Sequence, residues 1–369
     1  MVTLDSLWGL NYGQPMAVVK VPIHREITGH KAVREALRNT AEYSSDLQGD
    51  ADVRDYRQLP LEVDPPRHHL FRTALTPFFV RPAIEKHLAA FEAIAADALY
   101  DFFTAGNREV VSELALPLVM KNLGVIYSRP QDVDEWVSWG PDVWTAAGPE
   151  RSGDVLHAYL DRVYQEAIAT LSSDIYSQIA RLEIEGRVLS ELEFRGIAGV
   201  LLAGGRDTVV KLLTGMVWYF GNNPEALDQL RNNPELIDSA VHEFLRFLTP
   251  LPAMARTTVP ESRSAELPED RYVQISFISG NFDKTIYTNP TKIDFTRARN
   301  PHLSFGFGPH TCLGNHVAEI EAKVFLRALM ALDFNWKISS KSEISFYSGE
   351  LTNVPDHLKS IYITREDGK

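Results

Sequence analysis

The chain has 369 residues, 44% hydrophobic and 23% charged, ordinary proportions for a globular protein with material for a large core. A formal net charge of −12 argues against nucleic acid or an anionic membrane as the main partner. One cysteine excludes an intrachain disulfide framework and suits a reducing compartment. No stretch approaches the ~20 apolar residues that span a bilayer, and Met1 to Trp8 has no signal-peptide pattern, so the expected location is cytoplasmic.

No composition shift, linker or low-complexity segment divides the sequence, so residues 1–369 are expected to form one unit. In chain order, Met16 to Pro22 reads as a strand and Lys31 to Asn39 as a helix with Val33, Ala36 and Leu37 on one side. Further helices are expected at Pro82 to Thr104, Leu156 to Glu185, Ser190 to Phe220, Pro224 to Arg231, Pro234 to Phe247 and Asn315 to Leu332. Short alternating segments near Arg271 to Ser279 and Ser360 to Thr364 suggest a minor β component. The fold class is therefore mainly α with a small β portion. Asn222-Asn223-Pro224-Glu225 and Asn232-Asn233-Pro234-Glu235 each read as a helix start, with asparagine capping and proline in the first turn. Trp136, Trp139 and Trp144 are expected to pack between helices, with a place over a pocket as the alternative.

Ser190-Glu-Leu-Glu193 is a capping box that opens a helix of about 31 residues, ~45 Å long at 1.5 Å per residue. Inside it lies Ala203-Gly204-Gly205-Arg206-Asp207-Thr208. Two mid-helix glycines cost about 1 kcal/mol each against alanine. Close helix packing and close approach of a ligand account for them equally well. The acid and alcohol directly after them, Asp207 and Thr208, favour the ligand, since together they can relay protons to a bound oxygen species. Glu243 and Arg246 stand three residues apart on one helix face, among Phe244, Leu245 and Phe247. Burial there requires full hydrogen bonding of the pair.

Cys312 sits in the glycine-rich run Phe305-Gly-Phe-Gly308-Pro-His310-Thr-Cys312-Leu-Gly314, just before an amphipathic helix. A lone cysteine is usually a small buried hydrophobe. Here backbone N–H groups and a helix N-terminus converge on it, as suits a metal thiolate. Gly306, Gly308 and Gly314 clear room for a large flat ligand.

The spacing of Phe305, Gly308, Cys312 and Gly314, F-x-x-G-x-x-x-C-x-G, resembles the heme-binding motif of the cytochrome P-450 family, in which the cysteine is the proximal thiolate of heme iron. Gly204, Gly205, Asp207 and Thr208 are similar to the family's oxygen-activation motif. Glu243 and Arg246 resemble its E-x-x-R pair, with Arg297 in the place of the third, structural member. Asp64-Pro-Pro-Arg-His68-His69-Leu-Phe-Arg72 resembles the segment whose histidine and arginine, His68 and Arg72, face the heme propionates. Arg256 and His310 match a strand arginine and a loop histidine with the same role.

The resemblance runs from about Val18 to the last strand, with the motifs in family order. It implies the cytochrome P-450 fold, with heme b between the long helix and the Cys312 loop. It also implies activation of O2 with protons guided by Asp207 and Thr208, and electrons from a ferredoxin- or reductase-type donor protein. The implied substrate is a small hydrophobic or aromatic molecule, hydroxylated or otherwise oxidised, with secondary metabolism as a setting. A peroxide-driven peroxygenase, a ring- or C–C-coupling enzyme, and a heme-based sensor or carrier are the other readings. Two positions depart from the pattern. Ala318-Glu319 stands where relatives have Ala-Arg, so a standard acidic ferredoxin is not implied as donor. Asn281-Phe282-Asp283 stands for the usual Asn-Arg-Asp.

Overall fold

The computed structural model describes residues 25–46, 56–105, 108–139, 154–170, 172–259 and 272–366; the strand expected at Met16 to Pro22, and Trp144, lie outside these. In chain order its helices are α1 (His30–Arg38), α2 (Arg67–Phe79), α3 (Arg81–Glu85), α4 (Leu88–Thr104), α5 (Leu116–Tyr127), α6 (Val133–Ser138), α7 (Asp154–Ala169), α8 (Ile175–Ile179), α9 (Glu191–Asn222), α10 (Pro224–Asn232), α11 (Ile237–Leu248), α12 (Phe277–Asn281) and α13 (Asn315–Met330). The strands are β1 (Arg25–Ile27), β2 (Tyr43–Ser44), β3 (Glu183–Ile184), β4 (Arg187–Val188), β5 (Ala253–Thr258), β6 (Tyr272–Ser276), β7 (Asn335–Ile338), β8 (Glu343–Phe346), β9 (Pro355–Ser360) and β10 (Ile363–Glu366).

The long helix α9 runs for 32 residues and packs against α5, α7, α11, α13 and β9. Its start is the expected capping box: Glu193 N–H donates to Ser190 Oγ and Ser190 N–H donates to Glu193 Oε2 at 2.9 Å. Ile197, Leu202, Leu213, Met216 and Val217 along it are fully or almost fully buried, so the helix is the axis of the main apolar cluster. Tertiary burial, more than propensity, holds a helix of this composition.

Several elements differ from the sequence expectation for identifiable reasons. The helix expected from Leu156 to Glu185 ends at Ala169, because Asp174 caps a new short helix by accepting from Ser177 N–H at 3.0 Å. The β3–β4 hairpin comes next, turning at Glu185 and Gly186, both with positive φ. Helix α2 buries His68, Phe71, Leu75 and Phe79 along one face, whereas α5 is apolar on nearly every side, with Leu116, Leu118, Val119, Met120 and Leu123 all buried. The paired asparagines do not cap α10 and α11 through their side chains. Asn222, Asn223 and Asn233 donate from Nδ2 to the carbonyls of Trp218, Tyr219 and Gln229 at 2.8–2.9 Å, closing the preceding helix ends instead. After the second pair the chain makes a 3-10 turn, Pro234–Leu236, before α11.

Strands β1, β6, β5 and β2 form one sheet in that order, with β1 parallel to β6 and β5 antiparallel to it. Helix α1 lies against this sheet through Val33, Ala36, Leu37, Ile275, Phe277 and Leu303. The same helix presses on the cysteine loop. Gly308 has φ +76°, and a Cβ there would stand 2.9 Å from the Leu37 carbonyl oxygen, so this position needs glycine twice over. The Arg34 and Arg38 guanidinium groups cover the Phe307 ring at 4.0 and 4.5 Å from its centroid. No helix among the described residues is long and apolar enough to cross a membrane.

Candidate functional site

A cavity of about 1460 Å³, open mouth included, separates α9 from the cysteine loop. One wall is the α9 stripe Leu201, Gly204, Gly205, Thr208, Val209 and Leu212; the opposite wall is Phe305 to Phe307 and His310 to Gly314 with Val317 and Ala318. Leu61, Leu123, Ile126, Pro250, Leu251 and Met254 complete a mainly apolar lining.

Cys312 is enclosed by protein but opens onto this internal space. Its N–H donates to Phe305 O at 2.8 Å, which fixes the loop across the residue. Burial pushes its thiol up, against weaker opposing help from the Gly314 N–H and Arg72. Gly314, the residue before α13, lies with its Cβ position 3.9 Å from Cys312 Sγ.

At the edge of the cavity four basic side chains converge: His68 and Arg72 from α2, Arg256 from β5 and His310 from the loop. The His68 and His310 rings lie 4.2 Å apart. Arg72 Nη1 donates to Thr311 O at 2.6 Å and Arg256 Nη1 to Ala255 O at 2.8 Å, both neutral acceptors. Neither ring nitrogen of the buried His68 has a hydrogen-bond partner among the described residues. Burial, and then the neighbouring cations, lower His68 to about 4 and His310 to about 2; burial lowers Arg256 to about 10. Asp64 is held by Ser44 Oγ and by Ser45 N–H at 2.9 Å. This is an incomplete electrostatic set, and two carboxylates placed in the cavity would complete it. The residues present fit a dicarboxylate macrocycle with a thiolate-bound metal.

The two glycines of α9 have separate tasks. A Cβ at Gly204 would meet nothing within 4 Å and would point into open cavity, whereas one at Gly205 would stand 2.9 Å from Leu123 Cδ2 of α5. Thr208 lines the cavity and donates back to Gly204 O at 3.1 Å. Asp207 is not beside it. It is buried outside the cavity lining, accepts from Arg206 Nη1 at 3.1 Å, and is shifted up by that burial despite the arginine. Arg206 in turn donates to Trp139 O at 3.0 Å. The other carboxylate oxygen of Asp207 has no hydrogen-bond partner among the described residues.

Beneath the loop, Glu243 and Arg246 are fully buried on α11 and joined by two hydrogen bonds of 2.9 and 2.7 Å. Arg297 donates to both Glu243 oxygens at 3.1 and 3.2 Å. The sequence reading missed the other partners: Asn300 Nδ2 and Asp294 N–H also donate to Glu243, and Arg246 reaches the carbonyls of Asn281, Pro290 and Lys292. Phe282 and Tyr287 lie under the Arg246 guanidinium at 5.3 and 5.1 Å, which gives the departing Phe282 a packing role. Asn281 then ties α11 to the loop, donating to Thr249 and Ser304 and accepting Leu303 N–H at 2.6 Å. These partners sit in irregular segments with no periodic signal.

The model of the cytochrome P-450 family matches residues 148–359. Cyclomarin C epoxidase of Salinispora arenicola is 28% identical over 342 residues, 84% of this chain and 85% of that protein. Erythromycin C-12 hydroxylase of Saccharopolyspora erythraea is 29% identical over 323 residues, covering 82% and 80%. The solved structure of a carbohydrate-active P-450 superposes with a TM-score of 0.81 at 29% identity, covering 92% of each chain. With its cysteine loop facing the long helix across an apolar cavity, the chain belongs to the cytochrome P-450 family of heme-thiolate monooxygenases.

Proposed function

We propose that Cys312 is the proximal ligand of a heme b whose propionates are held by His68, Arg72, Arg256 and His310. The observation that carries this is the convergence, around one cavity, of the lone thiol and four basic groups, with both ring nitrogens of the buried His68 unpartnered among the described residues. When bound, the heme supplies oxygen activation, and the thiolate favours O–O cleavage. The chain's own residues do the rest. The apolar cavity wall desolvates and orients a hydrophobic or aromatic substrate, with Met254 and Leu251 on the strand side. Thr208 holds a hydroxyl at the cavity face of α9, placed to pass a proton to oxygen and to exclude loose water. Phe305, Gly308 and Gly314 shape the loop, while Glu243, Arg246 and Arg297 brace it from behind without touching substrate.

Two of the relatives are named for an epoxidation, of cyclomarin C, and a C-12 hydroxylation, of erythromycin. A tailoring oxidation of a small hydrophobic molecule is the reading they support. Electrons come from a donor protein of ferredoxin or reductase type. A lone cysteine used as a metal ligand leaves no thiol for a disulfide, consistent with a cytoplasmic setting.

The test is the absorption spectrum of purified protein reduced with dithionite under carbon monoxide. A strongly red-shifted Soret band is expected from the wild type and is expected to be lost in Cys312→Ala. A band typical of neutral-ligand heme in the wild type removes Cys312 as ligand. Thr208→Ala is expected to keep the wild-type band while diverting reducing equivalents to hydrogen peroxide.

A further inference from the structure

Pro60 and Leu61 line the cavity but belong to no helix or strand, so contacts outside the cavity have to hold them in place. They stand at the tip of a closed turn. Gln58 N–H donates to Glu62 Oε2 and Glu62 N–H donates to Gln58 O, both at 2.7 Å, so residues 58–62 move as one block. The base of that block rests on α9. A Cβ at Gly196 would stand 2.0 Å from the Arg57 carbonyl oxygen, 3.2 Å from the Arg57 carbonyl carbon and 3.6 Å from Leu59 N. Backbone atoms cannot swing aside as the end of a side chain can, so any residue other than glycine here has to lift the turn. Gly196 is buried, eight residues or ~12 Å along α9 from Gly204, and is outside the cavity lining. The seat is fastened from both sides. Tyr56 is buried with its ring edge-on to His157 of α7, 5.6 Å between centroids, and its hydroxyl lies 3.9 Å from the Cβ position of Gly199. Arg57 pairs with Asp46. Downstream, Ser44 Oγ and Ser45 N–H anchor Asp64, which separates the turn from His68 and Arg72.

We propose that Gly196 is a positioning residue for ligand selection: by letting the Arg57 carbonyl down onto α9, it sets where Pro60 and Leu61 stand and how closely the cavity grips a ligand long enough to reach them. Lifting the turn widens its gap to α9 and removes dispersion contacts from such a ligand. A ligand that stays near Cys312 loses nothing, because the groups proposed to hold the heme lie beyond the Asp64 anchor. The inference rests on the proposed Cys312-ligated heme, the group to which a selected ligand is presented.

The test uses holoenzyme and two iron ligands followed by difference absorption: imidazole, too small to span the cavity, and 1-dodecylimidazole, whose chain runs along the apolar lining. Gly196→Ala is expected to keep heme content, the red-shifted carbon monoxide band and the imidazole affinity, yet to bind 1-dodecylimidazole several-fold more weakly. Gly199→Ala adds the same methyl group one turn along α9, at an ordinary 3.5 Å from Leu160 Cδ1, and should leave both affinities alone. An equal loss in Gly199→Ala would make the effect general to helix packing and overturn the proposal. Leu61→Ala removes the side chain at the tip and should weaken only the long ligand. The double variant Gly196→Ala/Leu61→Ala should then lose less than the product of the two single losses, since both act through one contact. Losses that multiply, or an unchanged affinity of Gly196→Ala for the long ligand, would also overturn it. Should Gly196→Ala fold poorly, hydrogen exchange of the wild type decides: the Gln58 and Glu62 amides are expected to be protected, and exchange at the rate of an open chain sinks the proposal. A wild-type protein without the red-shifted band fails at the earlier step, the heme-thiolate assignment.

Discussion

Arg81 Nη2 and Glu319 Oε2 meet at 2.6 Å, joining the start of α3 to the second turn of α13, the helix that begins beside Cys312. Arg81 also faces Glu85 at 3.8 Å, and Glu319 faces His316 at 3.7 Å. The acid thus has a local cation, and the surface beyond the cysteine loop presents a neutralised pair where the family resemblance implies an arginine. Replacing Glu319 with Arg sets two guanidinium groups side by side. Reduction of the protein by an acidic surrogate ferredoxin, monitored by stopped flow under carbon monoxide, is expected to speed up several-fold at low ionic strength. The gain should fade as salt shortens the Debye length. Equal rates for both proteins at low salt would place electron entry elsewhere.

Glu243 has four side-chain and backbone donors and no access to water. Removing one partner of a buried ion pair leaves an uncompensated charge, a loss of about 3–5 kcal/mol. Arg297→Ala is expected to cost about that much and to lower heme incorporation, measured by thermal melting and by heme content per polypeptide. Asn300→Ala removes one hydrogen bond to a charged group, about 1.5–3 kcal/mol, and should fall below Arg297→Ala in the same assays.

The glycine pair of α9 gives a contrast within two residues. Gly204→Ala adds a methyl group in open cavity and improves helix propensity, so a gain of up to about 1 kcal/mol is expected, together with altered spin-state responses to ligands. Gly205→Ala pushes on Leu123, and overpacking of this kind costs about 1–3 kcal/mol. Melting curves of the two variants should move in opposite directions.

His68 predicts a pH dependence specific to the cofactor-free protein. Its folded value, about 4, lies below the ordinary 6.5. Between those values the unfolded chain binds the extra proton and the folded one does not, so stability is full above about 6.5 and falls as pH drops toward 4. Carboxylates bound beside His68 would raise it again and shrink that window. Melting temperatures at pH 7 and pH 5 should therefore diverge more for cofactor-free protein than for heme-loaded protein. Parallel shifts would mean that His68 does not face the propionates.

The sequence alone determined the elements whose signal is local. The capping box at Ser190 and Glu193 opened the long helix where expected, because both hydrogen bonds lie within four residues. The spacing around Cys312 and Gly314 read correctly as loop and helix start, and the i, i+3 relation of Glu243 and Arg246 put the pair on one face. Tertiary structure decided what depends on the partner across a gap. Asp207 turned to Arg206, and the glycine pair divided between cavity and packing, because helix rotation and the position of Leu123 are set by burial of the whole of α9. Asn223 reached backward to Tyr219, where a free carbonyl was nearer than the next helix. Short-range hydrogen bonding can be read from order in the chain, whereas burial, and the electrostatics that burial creates, exist only once the elements are packed.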